Sequence, residues 1–229
     1  MNKDNLMLQK NITRDFLLLD LYKEDLVFYF APSSVFLSTI STSIILNLYL
    51  NDKISINSET KDFKIIDQTS IRTYNKTMME YIEKNKITNL HKLAQQLFLD
   101  TDFVMDLFEY VIKEFEKDDI IEVKSEKRLV LHKNIVKLKD KDSVKKAYQG
   151  LYESLFLDDE ANEFVALALL IDTFYSVDDY FSEDEHGQIK ERLKELQETQ
   201  LYSDIKVFKD VIEDFFSLIA SRNTNYFGI

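Results

Sequence analysis

Phe164-Val165-Ala166-Leu167-Ala168-Leu169-Leu170-Ile171 is eight apolar residues without a break, and the run continues through Phe174, Tyr175 and Val177. A helix of this composition is apolar around its circumference and belongs in the centre of a domain. A second such helix lies upstream. From Val35 to about Asn51, Phe36, Leu37, Ile40, Ile44, Ile45, Leu46, Leu48, Tyr49 and Leu50 wrap most of a helix that Ser33 and Ser34 can cap just after Pro32. Its one polar stripe is Ser34, Ser38, Ser41 and Thr42, whose spacings of four, three and four place the hydroxyls on one face.

Two buried helices imply a bundle around them. Ile12, Phe16, Leu17, Leu19 and Leu21 make a short apolar helix, and Leu26 to Phe30 reads as a strand. The alternating runs Lys53 to Ile56 and Phe63 to Ile66, separated by the polar stretch Asn57 to Asp62, predict a β-hairpin. Thr73 to Lys84, Thr88 to Phe98 and Asp102 to Phe115 predict helices, followed by strands at Ile120 to Lys124 and Arg128 to His132 with a turn at Ser125 to Lys127. Val144, Ala147, Tyr148, Leu151, Tyr152, Leu155 and Phe156 give Ser143 to Phe156 the rhythm of an amphipathic surface helix. Ile189, Leu193 and Leu196, then Phe208, Val211, Ile212, Phe215, Phe216 and Ile219, mark two more.

Composition agrees. The 229 residues are 45% hydrophobic and 31% charged, with 3 Gly and 1 Pro, too few for a turn-dense all-β chain. A chain of this length buries roughly 70% of the surface it exposes when unfolded, so one domain over residues 1–229 needs no disulfide or metal for stability. Without cysteine there is no disulfide, thiolate metal site or cysteine nucleophile, which fits a reducing cytoplasm. Met1 to Lys10 does not read as a signal peptide. The longest apolar stretch, Val35 to Leu50, holds five Ser or Thr residues plus Asn47, and falls short of the roughly 20 apolar residues a membrane span needs.

The net charge of -12 opposes any mode in which the whole surface attracts nucleic acid or anionic lipid. One segment stands apart. Lys124 to Lys146 carries nine Lys or Arg against Glu126, Asp140 and Asp142. In it Lys124, Lys127, Arg128 and Lys133 form the candidate surface for a lipid headgroup or other anion, since each Lys near an anionic membrane contributes about 1 kcal/mol.

Catalytic and metal motifs are thin. There is no Gly-rich phosphate loop, no Gly-x-Ser-x-Gly and no His-Glu-x-x-His. Glu183 and His186 form one Glu-x-x-His where a di-iron bundle needs two. An EF-hand centred on Gly187 fails at Ser182 and Leu193, which leaves Asp178 to Glu185 as a solvated acidic loop. Asp158, Asp159, Glu160 and Glu163 read as a helix N-terminus that favours the macrodipole.

Helix, helix and hairpin from Thr88 to His132 is the order of a winged helix. The helix in the recognition position carries Asp102, Asp106, Glu109, Glu114, Glu116, Asp118 and Asp119 against Lys113 and Lys117. Contact with phosphates needs the opposite sign.

Several local patterns together resemble the Golgi phosphoprotein 3 family from about Ile12 to Phe216. They are Phe16-Leu17-Leu18-Leu19-Asp20-Leu21, the stretch from Ile44-Ile45-Leu46-Asn47-Leu48-Tyr49-Leu50 through Asn51-Asp52-Lys53 to Ile54-Ser55-Ile56, and Ile65-Ile66-Asp67. Phe115-Glu116-Lys117-Asp118-Asp119-Ile120-Ile121 and Ala166-Leu167-Ala168-Leu169-Leu170 complete the set. The resemblance implies a mostly helical domain without enzyme activity. Eukaryotic members are peripheral membrane proteins that bind phosphatidylinositol 4-phosphate and act as trafficking adaptors. Their headgroup pocket uses a loop aromatic, an Arg in the buried helix and two Arg on the helix before the hairpin. Those positions fall near Pro32, Ser41, Met105 and Phe108 here, so the basic pocket is missing, and a phosphorylated headgroup needs cationic donors.

The expectation is a mainly α, single globular helical domain around central apolar helices, with short peripheral β-hairpins. The function expected is that of a non-enzymatic peripheral membrane, phospholipid-binding or adaptor protein, cytoplasmic, with no catalytic residue, metal or cofactor. Its expected partners are an anionic membrane surface or a protein, and not nucleic acid. The competing readings are a winged-helix nucleic-acid-binding or regulatory protein and an enzyme with an unrecognised carboxylate site.

Overall fold

The run from Phe164 to Ile171 does form the central helix. The computed structural model describes residues 11–23, 26–28, 32–69, 72–128, 131–156, 162–176 and 180–224, and among these it places nine helices and five strands. In chain order they are α1 (Ile12–Lys23), β1 (Leu26–Phe28), α2 (Ser34–Leu50), β2 (Ile54–Ile56), β3 (Phe63–Ile65), α3 (Thr73–Lys84), α4 (Leu90–Leu99) and α5 (Thr101–Lys117). Then follow β4 (Ile121–Arg128), β5 (Leu131–Leu138), α6 (Lys141–Phe156), α7 (Asn162–Phe174), α8 (His186–Leu196) and α9 (Gln200–Thr224). Met1 to Lys10, the end of the first expected strand at Tyr29 and Phe30, and Val177 lie outside the described residues, as do the side chains of Phe215, Phe216 and Ile219.

Ala166 to Ile171 of α7 are wholly enclosed, and α1, α2, α6, α8 and α9 pack around the helix. Gly150 of α6 lets that layer come close, because a Cβ there would lie 2.3 Å from the Phe164 ring. Ser33 caps α2 by accepting a hydrogen bond from the Phe36 amide at 3.2 Å. The buried hydroxyls of α2 are satisfied within the helix, as Ser41 donates to the Leu37 carbonyl and Thr42 to the Ser38 carbonyl, each at 2.9 Å.

Three helices end in the same way without glycine. Asp52, Lys86 and Asp119 adopt positive φ angles of 55°, 53° and 61° just past the ends of α2, α3 and α5. In each case the next amide reaches back five residues, Lys53 to Leu48, Ile87 to Ile82 and Ile120 to Phe115, closing a Schellman motif.

The second hairpin differs from the expectation. Both strands are longer, and Ser125 to Lys127, expected as a turn, continue β4, with Ser125 opposite Asn134, Glu126 opposite Lys133 and Lys127 opposite His132. The stretch contains no Gly, Pro or Asn to make a turn. Ser125 Oγ donates to Asn134 Oδ1 at 2.7 Å across the ladder, a cross-strand pair that supports the register beyond its apolar end. β1 adds to β5 in antiparallel register, Leu26 opposite Val136, giving a three-stranded sheet in the order β1-β5-β4. β2 and β3 form the first hairpin as expected, with Ile54 opposite Ile65.

Candidate functional site

The register of the β4–β5 ladder sorts the basic residues. Directly opposed residues of an antiparallel pair share a face and alternate residues change face. Lys124, Arg128, Lys133 and Lys137 therefore occupy positions of one face, together with Glu122 and Glu126, while Lys127 occupies a position of the other. Of the expected contact residues Lys124, Lys127, Arg128 and Lys133, the register thus puts three at positions of one face and Lys127 at a position of the other. The side chains of Lys127 and Arg128 lie outside the described residues.

Acids answer part of the charge. Lys124 Nζ lies 3.3 Å from Glu122, Glu126 stands opposite Lys133, and Glu122 stands opposite Lys137. Just past the strand Lys139 pairs with Asp119, whose carboxylate holds the ammonium above its ordinary pKa. The result is a ladder of alternating sign in which cations exceed acids. It suits weak, oriented contact with an extended anionic surface better than a tight grip on one phosphate.

The positions that the family resemblance assigns to a headgroup pocket are occupied otherwise. Phe108 is buried edge-on against Phe36, ring centroids 5.8 Å apart, and the Ser41 hydroxyl is turned back onto its own helix. Pro32 is buried and Met105 half-buried. Beside them, Ser34, Leu37, Ser38, Leu97, Phe98, Leu99, Thr101 and Val104 line an open cleft of about 320 Å³ with no charged side chain. The polar stripe of α2 thus ends in a small apolar groove. Ser38, Ser41 and Thr42 also border a void of about 30 Å³, room for a single water.

The acidic candidates separate. Glu183 is exposed and His186 Nε2 lies 3.3 Å from the Phe181 carbonyl. Among the described residues no three potential ligands come together as a metal site. Asp158, Asp159 and Glu160 lie outside the described residues, whereas Glu163 sits in the first turn of α7 with the Asn11 amide 3.5 Å from its carboxylate. The solvent side of α5 carries exposed Asp102, Asp106, Glu109 and Glu116, with Lys113 tied to Glu109 at 2.9 Å. That face repels phosphates.

Asp15 is the residue that sequence reasoning passed over. It is 1% exposed, and its Oδ1 receives Arg14 Nε at 2.9 Å and Nη2 at 2.8 Å, while Oδ2 is buried without a donor. Burial pushes its carboxyl up to about 6, against the pull of Arg14 and with the help of Glu163, which faces it. The signal was present: position 15 falls three residues after Ile12 and four before Leu19, on the buried side of α1.

No protein-family model and no curated protein matches the chain. Among the described residues no helix is long and apolar enough to cross a membrane.

Proposed function

We propose that the protein is a non-enzymatic, peripheral phospholipid-binding protein of the Golgi phosphoprotein 3 type, which meets an anionic membrane surface with its β4–β5 hairpin and does not select one headgroup. The observation that carries this reading is the strand register that gives Lys124, Arg128, Lys133 and Lys137 positions on one ladder face with Glu122 and Glu126, in a chain of net charge -12. A protein with that total charge is repelled by an anionic bilayer in most orientations, so only approach with the hairpin foremost is attractive. The uncharged cleft beside Ser41 and Phe108 supports charge-driven contact over recognition of a particular phosphoinositide.

Sedimentation with vesicles tests the proposal. Binding to phosphatidylserine vesicles is expected at low salt and is expected to vanish as salt rises, since exposed charges act over about 8 Å at physiological ionic strength. Vesicles with phosphatidylinositol 4-phosphate at the same surface charge should bind no better. The combined change Lys124→Glu, Arg128→Glu and Lys133→Glu should abolish binding while leaving thermal stability almost unchanged. Absence of binding in the parent overturns the reading, binding by the triple variant removes the hairpin from it, and preference for the phosphoinositide restores a specific pocket.

A further inference from the structure

A concave space lies away from the hairpin, where α6 faces the end of α1 and the segment leading into α8. Tyr22, Lys141, Val144, Lys145, Tyr148, Gln149 and Tyr180 border about 780 Å³. That volume lies within the range of small-molecule sites. Lys141, Lys145 and Tyr148 recur at intervals of four and three along α6, so one face of the helix supplies both cations and a ring. Val144 is buried at the floor.

The aromatic wall is built in advance. Tyr148 packs on Phe181 with centroids 5.6 Å apart, and Phe181 meets Phe156 at 5.7 Å. Phe156 in turn stacks on Tyr152 at 4.5 Å. Tyr22 closes the opposite side and is 65% exposed, an unusual position for so large a ring.

Three tyrosines around a space can serve as a cage for a quaternary ammonium. Lys141 and Lys145 reverse that preference. Among the described residues the acid paired with them is Asp142, 3.4 Å from Lys145 in a pair whose side chains are 80% and 88% exposed. Such a pair holds its lysine weakly. Glu185 lies on the far side, near Tyr148, and its carboxylate is held ionised by the Ser182 hydroxyl and amide at 2.6 Å and 2.9 Å. The cleft is therefore polarised, cationic at the start of α6 and repelling anions at the tyrosine end.

We propose that this cleft binds a small aromatic anion of about the size of a nucleoside monophosphate, its flat ring between Tyr22, Tyr148 and Tyr180 and its anionic group at Lys141 and Lys145. The site is independent of the membrane contact. It shares no residue with the hairpin face, and it uses rings for the planar part and ammonium groups for the charge.

Calorimetric titration of the full chain with adenosine 5′-monophosphate tests the assignment, with adenosine, inorganic phosphate and choline as comparators. The expected result is saturable one-to-one binding of the monophosphate, at least tenfold tighter than either half alone, with choline not bound. Lys141→Ala with Lys145→Ala, and separately Tyr22→Ala, should each weaken it at least tenfold. Tyr22 is exposed enough for its removal to leave the fold intact, and circular dichroism on the same samples checks this. The triple hairpin variant should bind as the parent does. No binding by the parent, tighter binding of choline, or parent-like affinity in both cleft variants overturns the proposal.

Discussion

The two central helices are equally buried and differently made. α7 encloses an unbroken apolar run, Ala166 to Ile171, whereas α2 carries Ser41, Thr42, Ser43 and Asn47 into the same interior and meets Thr13 of α1 across a polar seam. Apolar burial stabilises without direction, so it fixes how much of α7 is covered and leaves the match of its neighbours to shape. The seam is directional. Ile12 N, one of the donors that a helix start leaves unpaired, gives its hydrogen to Asn47 Oδ1 at 2.7 Å, and Asn47 Nδ2 donates to Thr13 Oγ1 at 2.7 Å. Asn11 Oδ1 accepts from the Arg14 amide and from the Tyr74 hydroxyl, each at 3.1 Å. A slide of α1 along α2 by one turn would leave each of these groups buried and unpaired, so the seam sets the register and α7 supplies the bulk of the driving force.

The contrast is broken most severely on the apolar side. Leu167→Ala or Leu170→Ala should each cost about 2 to 5 kcal/mol, because the cavity left among fully packed neighbours adds to the lost transfer energy. Urea unfolding measures it. A loss below about 0.5 kcal/mol at both sites is the behaviour of a surface helix, and would remove α7 from the centre.

α1 carries a further signature that an apolar core lacks, a dependence on pH, at a carboxyl that faces Glu163 of α7. Asp15 titrates near 6 in the folded protein against an ordinary value of 3.8. Between about pH 4 and 6 the folded state keeps a proton that the unfolded chain has lost, so stability falls as pH rises through that window and is level on either side of it. Asp67, Asp140 and Glu185, whose carboxylates accept hydrogen bonds and titrate below their ordinary values, act in the opposite sense and only at lower pH. Stability of the parent minus that of Asp15→Asn, measured from pH 4 to 7, should decline between 4 and 6. Parallel curves would mean that Asp15 is not the group responsible.

Much of this was legible in the sequence and the illegible part has a common cause. The two central helices, the amphipathic α6 and the first hairpin follow from apolar spacing, which reports directly on burial. What spacing misreported were polar residues in structured places. Ser125 to Lys127 looked like a turn and are strand, because polar cross-strand pairing such as that of Ser125 with Asn134 takes the place of apolar alternation. Asn47 looked incidental and is buried because its partners come from α1, and Asp15 is buried between Arg14 of its own helix and Glu163 of α7. The stops of α2, α3 and α5 at Asp52, Lys86 and Asp119 carry no glycine to announce them. In the same way the basic stretch was visible as composition, but only the strand register separates Lys127 from Lys124 and Lys133. Tyr22, Lys145 and Tyr180 lie far apart in the chain, so no motif could join them.

The finest test of the seam lies between two hydroxyls. The Ser43 Oγ is 2.7 Å from the Ile40 carbonyl and 2.9 Å from Thr13 Oγ1, so Ser43→Ala takes a donor from a carbonyl that is already an acceptor within its helix. Thr13 Oγ1 keeps its bond from Asn47 in that variant, and the cost should be about 1 kcal/mol, the net value of one hydrogen bond. Thr13→Val preserves the shape but removes the acceptor that Asn47 Nδ2 uses, leaving that amide with Asn11 Oδ1 at 3.5 Å as its remaining partner. It should therefore cost more, about 1 to 3 kcal/mol, the penalty of a buried donor deprived of its acceptor. The double variant should cost less than the two single losses added together, since both remove the same Ser43 to Thr13 contact. Equal costs for the two single changes, with simple additivity in the double, would show that the seam acts as packing alone and that its hydrogen bonds do not set the register of α1 on α2.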